Sequence, residues 1–290
     1  GKGLLATNGF FGDRVVDQAR QNGFDVAVVK GAHDQPLDVK AIGAALDADP
    51  AIKWVFFVSH ETRTGLRNPF EEIGRLCKQR GKFVSADGIS SAFAYAIDIE
   101  ASEIDLVTAS SAKAIMAAPG LGIIFTKKDS VATLAAPAKA AGSSKGNGRG
   151  FYLDVVAEYT KQSTELQPRF AQPVVLHAAL RAACMHLQEK GIEAHMARIQ
   201  RQMADLIEHL ATLGVKPLLD ERFRSNIAVN FSLPVGLPYS AFAKTMEERG
   251  FFCLYGIPGD ESHFQLSTIG FLADSDIEAA KTALSEVFKR

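Results

Sequence analysis

Short apolar, β-branched runs alternate with amphipathic stretches through the first half of the chain. Runs at 3–7, 24–29, 52–58, 82–86, 104–109 and 121–126 have strand length, and helix-length patterns at 10–22, 37–47 and 69–80 lie between several of them. This alternation predicts an α/β fold with a mostly parallel sheet sandwiched by helices. The helix at 69–80 has a readable start. Asn68 is placed to cap it, Pro69 suits the first helical position, and Glu71 and Glu72 favour the positive end of its dipole.

The texture then changes. "AAPAKAAGSSKGNGRG" (135–150) is small and Gly-rich, follows no clear strand and lacks GK[ST], so it reads as a mobile surface loop rather than a phosphate cradle. Two long helical patterns follow, at 173–190 and 192–213. In the second, Ile192, Met196, Ile199, Met203, Leu206, Leu210 and Leu213 recur at steps of three and four and form one apolar face. Beyond about 215 the chain reads strand, helix, strand, strand, helix. The strands fall near 226–232, 250–254 and 263–268, and the helices near 239–249 and 275–289. The last helix carries a capping-box pattern, Ser275 with Glu278. The expected organisation is a large domain over 1–190, then the long linking helix and a small C-terminal α+β domain over 191–290. The chain opens "GKGLLATNG", a strand running straight into a turn, which reads as the middle of a domain and predicts a preceding segment.

Composition narrows the partners. The 290 residues are 47% hydrophobic, enough for a large core, and 32 basic against 33 acidic residues leave a net charge of −1. No basic stripe points to nucleic acid. Apolar runs such as "WVFFV" (54–58) and "LGIIF" (121–125) are far too short to span a bilayer. Cys77, Cys184 and Cys253 are odd in number and far apart, with no CxxC, and the seven histidines show no HxxxH or HExxH. That usage predicts a cytoplasmic protein with buried thiols and no metal site.

Four clusters sit at strand ends, where open parallel sheets bind ligands. They are "NGFFG" (8–12), "SHETRTGLRNP" (59–69), "SADGISS" (85–91) and "TASSAKAIMAAPG" (108–120). Taken singly, each has an ordinary reading: Asp87 as a turn-former or helix cap, Lys113 as a solvated lysine. Taken together, an acid at one strand end and a lysine 26 residues later suit a pyridoxal phosphate site. The lysine amine bonds the aldehyde, and the carboxylate pairs with the pyridine nitrogen.

The residues that carry chemistry also carry a resemblance. "NGFFGDR" (8–14), "HETRTGLRNPFEEIG" (60–74), "GKFVSADGISSAF" (81–93), "SSAKAIMAAPGLG" (110–122) and "YLDVVAEY" (152–159) resemble the class V, fold-type I aminotransferases. The likeness is greatest to the branch that moves an amine from 2-aminoethylphosphonate to pyruvate. The order and spacing of HETxTGxxNP, D-x-x-S-S and K-x5-PG make the combination specific. The resemblance implies the PLP-dependent transferase fold and pyridoxal 5'-phosphate as cofactor. It implies a small amine and a keto acid as substrates, and a homodimer. Lys113 would be the Schiff-base lysine and proton carrier, and Asp87 the partner of the pyridine nitrogen. Phe11 would stack on the ring, Thr62 contact the ring oxygen and Ile89 pack under the ring, with Ser110 and Ser111 near the phosphate.

Three departures accompany it. The family's Ser-Gly-Thr phosphate turn, in an N-terminal segment, has no counterpart here. The family's Pro-Thr pair, which reaches the neighbouring subunit's phosphate, is Pro173 followed by Val174. The family's anion-gripping arginine, in a strand reading Phe-Arg-Ile-Gly, is Gln265 in "HFQLSTIG" (263–270), and Arg63 is a candidate for the missing charge. These departures keep two other readings open: a lyase or decarboxylase on the same scaffold, and a non-catalytic, truncated member.

Overall fold

The computed structural model describes residues 1–140, 151–252, 257 and 259–288. The chain runs β1 (Lys2–Thr7), α1 (Phe10–Gln21), β2 (Val26–Lys30), α2 (Val39–Ala48), β3 (Ile52–Val58), the short pair β4 (His60–Glu61) and β5 (Leu66–Arg67), α3 (Phe70–Gln79), β6 (Phe83–Asp87), β7 (Leu106–Ser110) and β8 (Gly122–Thr126). It continues through α4 (Lys128–Ala140), α5 (Val155–Glu165), α6 (Val174–Lys190), α7 (Ile192–Thr212), β9 (Ala228–Ser232), α8 (Tyr239–Glu247), β10 (His263–Ser267) and α9 (Asp274–Phe288).

Six strands form one sheet in the order β2-β1-β3-β6-β7-β8. The first five are parallel, and β8 runs antiparallel to β7. Because side chains alternate along a strand, β1 serves both faces. Leu4 and Ala6 pack with Val55, Phe57, Val84, Ile42 and Ile73 on the α2/α3 side, whereas Leu5 packs with Val16 and Ala19 of α1 on the other. Each fully buried side chain of this kind contributes about 1.5–3 kcal/mol. From β1 the chain crosses outward to β2 and then returns to β1's other side as β3. The carboxyl ends of β1 and β3 therefore flank the point where the connections diverge, the place where such sheets leave a crevice.

A second core lies further along the chain. Met203, Leu206 and Leu210 of α7 pack with Val229, Phe231, Phe242, Phe264 and Leu284. The rings of Phe242 and Phe264 lie 4.3 Å apart, and those of Phe231 and Phe264 5.5 Å apart. β9 and β10 pair antiparallel, with Asn230 opposite Gln265.

Several sequence expectations need correction. Asn68 does not cap α3. Pro69 is the N-cap, with no side-chain cap bond, and the Asn68 amide is engaged elsewhere. The Ser275–Glu278 capping box does not form, because α9 starts at Asp274 and the Asp276 carboxylate reaches back to the Ala273 N–H at 2.7 Å. Residues 251–252 lie in no strand, and 253–254 fall outside the described residues. The first six residues of the Gly-rich stretch 135–150 belong to α4, and 141–150 lie outside the described residues. α5 has no buried residue, hence no apolar stripe for the pattern to reveal. Cys77 is buried, but Cys184 is exposed. Among the described residues, no helix is long and apolar enough to cross a membrane.

Candidate active site

The turns at the carboxyl ends of β1, β3 and β6 meet at one segment, 59–68. Its first residue joins it to the Asp87 loop. The Ser59 hydroxyl donates to the Asp87 carbonyl at 2.7 Å and lies 2.6 Å from the Ser91 hydroxyl. His60 follows, 1% exposed, with Nδ1 3.0 Å from the Ser90 hydroxyl. Since Ser90 spends its proton on the His60 carbonyl, Nδ1 carries the hydrogen. Nε2 is then the bare nitrogen, buried and without a hydrogen-bond partner among the described residues. Burial, and next the Arg67 charge, pull the His60 imidazole down to about 3, so the ring is neutral.

Glu61 is fully buried and turns its carboxylate to the start of α1. Oε1 accepts from the Gly12 N–H at 2.7 Å and Oε2 from the Phe11 N–H at 3.1 Å. These N–H groups open the helix and have no partner inside it. The carboxylate reaches them because residue 9 is glycine: a Cβ there would lie 2.4 Å from the Glu61 carboxyl carbon. Burial pushes the Glu61 carboxyl above its ordinary range, against the pull of the two N–H groups. This helix terminus, a ready anion site in an open sheet, is thus filled by the protein's own carboxylate.

At the far end of the segment, Asn68 pairs with Asn8 through two amide bonds of 2.8 and 2.9 Å. It also accepts from the Leu37 N–H and donates to the Val58 carbonyl. Between the ends, Gly65 has a φ of +73°, and a Cβ there would lie 2.6 Å from the Ala228 carbonyl. Only glycine lets the turn approach β9 so closely.

Around this segment stand the residues marked by the sequence. Asp87 ends β6, half-buried, and its Oδ1 accepts from the Ile89 N–H at 2.7 Å. Burial raises its carboxyl above the ordinary range, while the Ile89 bond and the Lys113 charge act in the opposite direction. Lys113 is exposed, in the loop after β7, and lies within electrostatic reach of both Asp87 and His60. The loop is closed from within. The Ser111 hydroxyl donates to the Ala118 carbonyl at 2.7 Å and accepts from the Leu121 N–H at 3.2 Å, and Ser111 is fully buried. Ser110 accepts from the Ala112 N–H. Met116, with a φ of +62°, bends the loop back, its N–H on the Lys113 carbonyl.

Thr62, Lys113 and Gln265 line a common cleft of about 470 Å³. Phe11 is half-buried, with the Arg14 guanidinium 5.1 Å from its ring centre. Arg63 is half-buried, 6.0 Å from the Phe10 ring centre. Ile89 is 37% exposed. Gln265 is 3% exposed, and its amide is turned to the 62–63 turn. Sequence reasoning did not assign the bonding roles of Asn8, Ser59, His60, Glu61, Asn68 or Asn230. The one available signal was that two of the four strand-end clusters, 8–12 and 59–69, contain all of them but Asn230.

Comparison with known proteins follows the same residues. Residues 14–251 match the Aminotransferase class-V family. The chain belongs to the class-V aminotransferase family. It is 30% identical over 292 residues to the 2-aminoethylphosphonate–pyruvate transaminase of Cupriavidus taiwanensis, covering 100% of this chain and 75% of that one. Two crystal structures share the fold. The alanine–glyoxylate aminotransferase of Nostoc sp. superposes with a TM-score of 0.88 at 22% identity, over 100% of this chain and 75% of that one. The pyridoxamine–pyruvate aminotransferase of Mesorhizobium loti superposes with a TM-score of 0.85 at 20% identity, over 99% and 73%. This class-V aminotransferase is an enzyme, and its family implies pyridoxal phosphate as cofactor.

The donor set fits the reactive end of that group. A lysine amine and a carboxylate stand at the ends of neighbouring parallel strands, in mutual electrostatic reach. The half-buried Asp87 carboxylate would be the partner of a protonated ring nitrogen.

Proposed function

We propose that this class-V aminotransferase moves the amino group of a small primary amine, of the 2-aminoethylphosphonate kind, to a keto acid such as pyruvate. The carrying observation is the placement of Asp87 and Lys113 across β6 and β7, with Thr62 on the same cleft as Lys113. Bound pyridoxal phosphate would supply an aldehyde for the amine and a ring that withdraws electrons from the adjacent carbon.

The chain's own groups do the rest. Lys113 Nζ would hold the cofactor at its aldehyde carbon and, once freed from it, would carry the proton at the substrate carbon. Asp87, its Oδ1 steadied by the Ile89 N–H, would hold the proton of the ring nitrogen. Phe11 and Ile89 would pack against the ring, and the Thr62 hydroxyl would hydrogen-bond the ring oxygen. Ser110 would be the serine of the pair left to reach the phosphate, because the Ser111 hydroxyl is spent inside the loop.

The protein is a homodimer in this reading. Val174 and Val175, 73% and 81% exposed at the start of α6, and Phe151, Tyr152 and Leu153, 60–79% exposed, supply an apolar surface for a second copy. Two separate cores support a division near residue 190 into a large domain and a helix-linked small one. The free thiols of Cys77 and Cys184 support a reducing, cytoplasmic setting.

The deciding experiment is borohydride fixation. Pyridoxal phosphate followed by borohydride should add one cofactor mass to the Lys113 peptide, and Lys113→Ala should abolish both the label and amine turnover. An unlabelled parent protein would overturn the reading. Labelling with no turnover of 2-aminoethylphosphonate would move the donor to another amine. Sedimentation at micromolar concentration tests the dimer, which a purely monomeric boundary would refute.

A further inference from the structure

Two adjacent strands of the small sheet send side-chain amides onto consecutive carbonyls of one turn. Gln265 Nε2 donates to the Thr62 carbonyl at 2.6 Å and lies 3.4 Å from the Arg63 carbonyl. Asn230, opposite Gln265 across the ladder, donates its Nδ2 to the Arg63 carbonyl at 2.7 Å. Both residues are 3% exposed. The backbone reinforces the join: the Ser225 N–H meets the Gly65 carbonyl at 2.7 Å and the Arg67 N–H meets the Phe223 carbonyl at 2.9 Å.

We propose that Gln265 and Asn230 are a latch that positions the Thr62 turn from the small domain, and that residue 265 does not itself grip the substrate's anionic group. The proposal rests on the reading of Thr62 as the hydroxyl that meets the cofactor. An amide nitrogen has two protons, and the Gln265 nitrogen faces two carbonyls. Its remaining polar atom is a carbonyl oxygen, which repels a carboxylate or phosphonate. Asn230 shows how strongly the arrangement is fixed. Its Oδ1 is buried without a hydrogen-bond partner among the described residues, and flipping the amide would set that oxygen against the Arg63 carbonyl. The nitrogen stays on the turn although its own oxygen goes unpaired. On its other side the same segment holds Phe11 through Glu61, so the latch ties the small domain to two cofactor-facing residues at once.

The test uses the full chain and the variants Gln265→Glu, Gln265→Met, Asn230→Ala and the double variant Gln265→Met/Asn230→Ala. The Met variant keeps length without charge, should Gln265→Glu fail to fold. Without cofactor, amide hydrogen exchange over 62–65 and tryptic cleavage after Arg63 should rise at least tenfold in each single variant. Pyridoxal phosphate, titrated by fluorescence quenching, should bind about tenfold more weakly. The double variant should be little worse than either single, because both amides hold one turn. KM should shift equally for an amine bearing a phosphonate and for a neutral amine of the same length. Unchanged exchange with a KM rise confined to the anionic amine would overturn the latch. If the parent takes up no pyridoxal phosphate, the proposed function fails, while exchange and cleavage still decide the latch.

Discussion

The reciprocal pair Asn8–Asn68 offers the most direct test of whether segment 59–68 holds the site together. Asn68 is 7% exposed and makes four hydrogen bonds of 2.8–2.9 Å, two of them with Asn8, which is 1% exposed. Asn68→Ala strips all four. The Leu37 N–H and Asn8 Oδ1 are left buried, while Asn8 Nδ2 keeps the Gln35 carbonyl at 2.7 Å. Each orphaned buried group costs about 1–3 kcal/mol, so the substitution should cost about 3–5 kcal/mol. Asn8→Ala removes the same two shared bonds, so the double variant should fall short of additivity by about 2 kcal/mol. Urea unfolding followed through Trp54, the one tryptophan and a residue of β3, reads the first transition. Asn68→Asp sets the sign independently. It turns a donor into an acceptor facing the Val58 carbonyl and buries a charge, so its cost should grow between pH 4 and pH 7. An Asn68→Ala cost below about 1 kcal/mol, or a coupling below about 0.5 kcal/mol, would refute the reasoning.

Other expectations follow from the same geometry. The folded His60 imidazole is held down at about 3, whereas an unfolded one protonates near 6.5; the unfolded chain thus takes the proton first, and stability falls as pH drops from about 6.5 toward about 3. The loss is on the order of 4 kcal/mol, and equal pH slopes for the parent and His60→Asn would sink it. Asp87→Asn should keep the borohydride label on Lys113 but slow turnover by about a hundredfold or more, and a near-normal rate would remove Asp87 from the ring nitrogen. Peptide mapping with a thiol reagent should find Cys184 modified at once. Cys77, whose thiol burial pushes up to about 12, should react only when the chain unfolds, and equal rates would contradict its burial.

Much of the six-stranded sheet was legible because its signals are local. All six sheet strands lie within three residues of the apolar runs, and β1, buried from Gly3 to Thr7, shows the clearest case, since a strand buried on both faces is a run of apolar residues. Strand direction is not local, and nothing in "LGIIF" distinguishes an antiparallel β8 from a parallel one. Asn68 illustrates a competition. Asn-Pro before an acidic turn is a sound helix-start signal, yet a buried amide with four partners is worth more than one cap bond. At α9, an aspartate one position after serine won the reach to the Ala273 N–H. Lys113 and Asp87 stood out in the sequence because the proposed chemistry needs those two types at strand ends. Gln265 was legible only as a departure, since its bond to the Thr62 carbonyl spans 203 residues.

The position of segment 59–68 follows from the topology. Where the connections from β1 and β3 diverge, backbone groups leave the ladder and need new partners while staying buried. Hydrophobic packing cannot supply them, so the segment is largely polar and four of its side chains are committed to its neighbours: Ser59 and His60 to the Asp87 loop, Glu61 to α1, Asn68 to Asn8. Phe11 and Asp87 each sit one hydrogen bond from the segment, and Thr62 lies within it. The precision of the site therefore rests on these polar bonds and not on the apolar core. Trimming Ile42 or Ile73, fully buried under the sheet, should lower stability by about 2–5 kcal/mol and leave cofactor affinity unchanged in the protein still folded. An equal stability loss taken from Asn68 or Glu61 should weaken cofactor binding as well, because it loosens the turns that Phe11 and Thr62 stand on. If both sets of variants weakened binding in proportion to lost stability alone, the segment would have no role beyond folding.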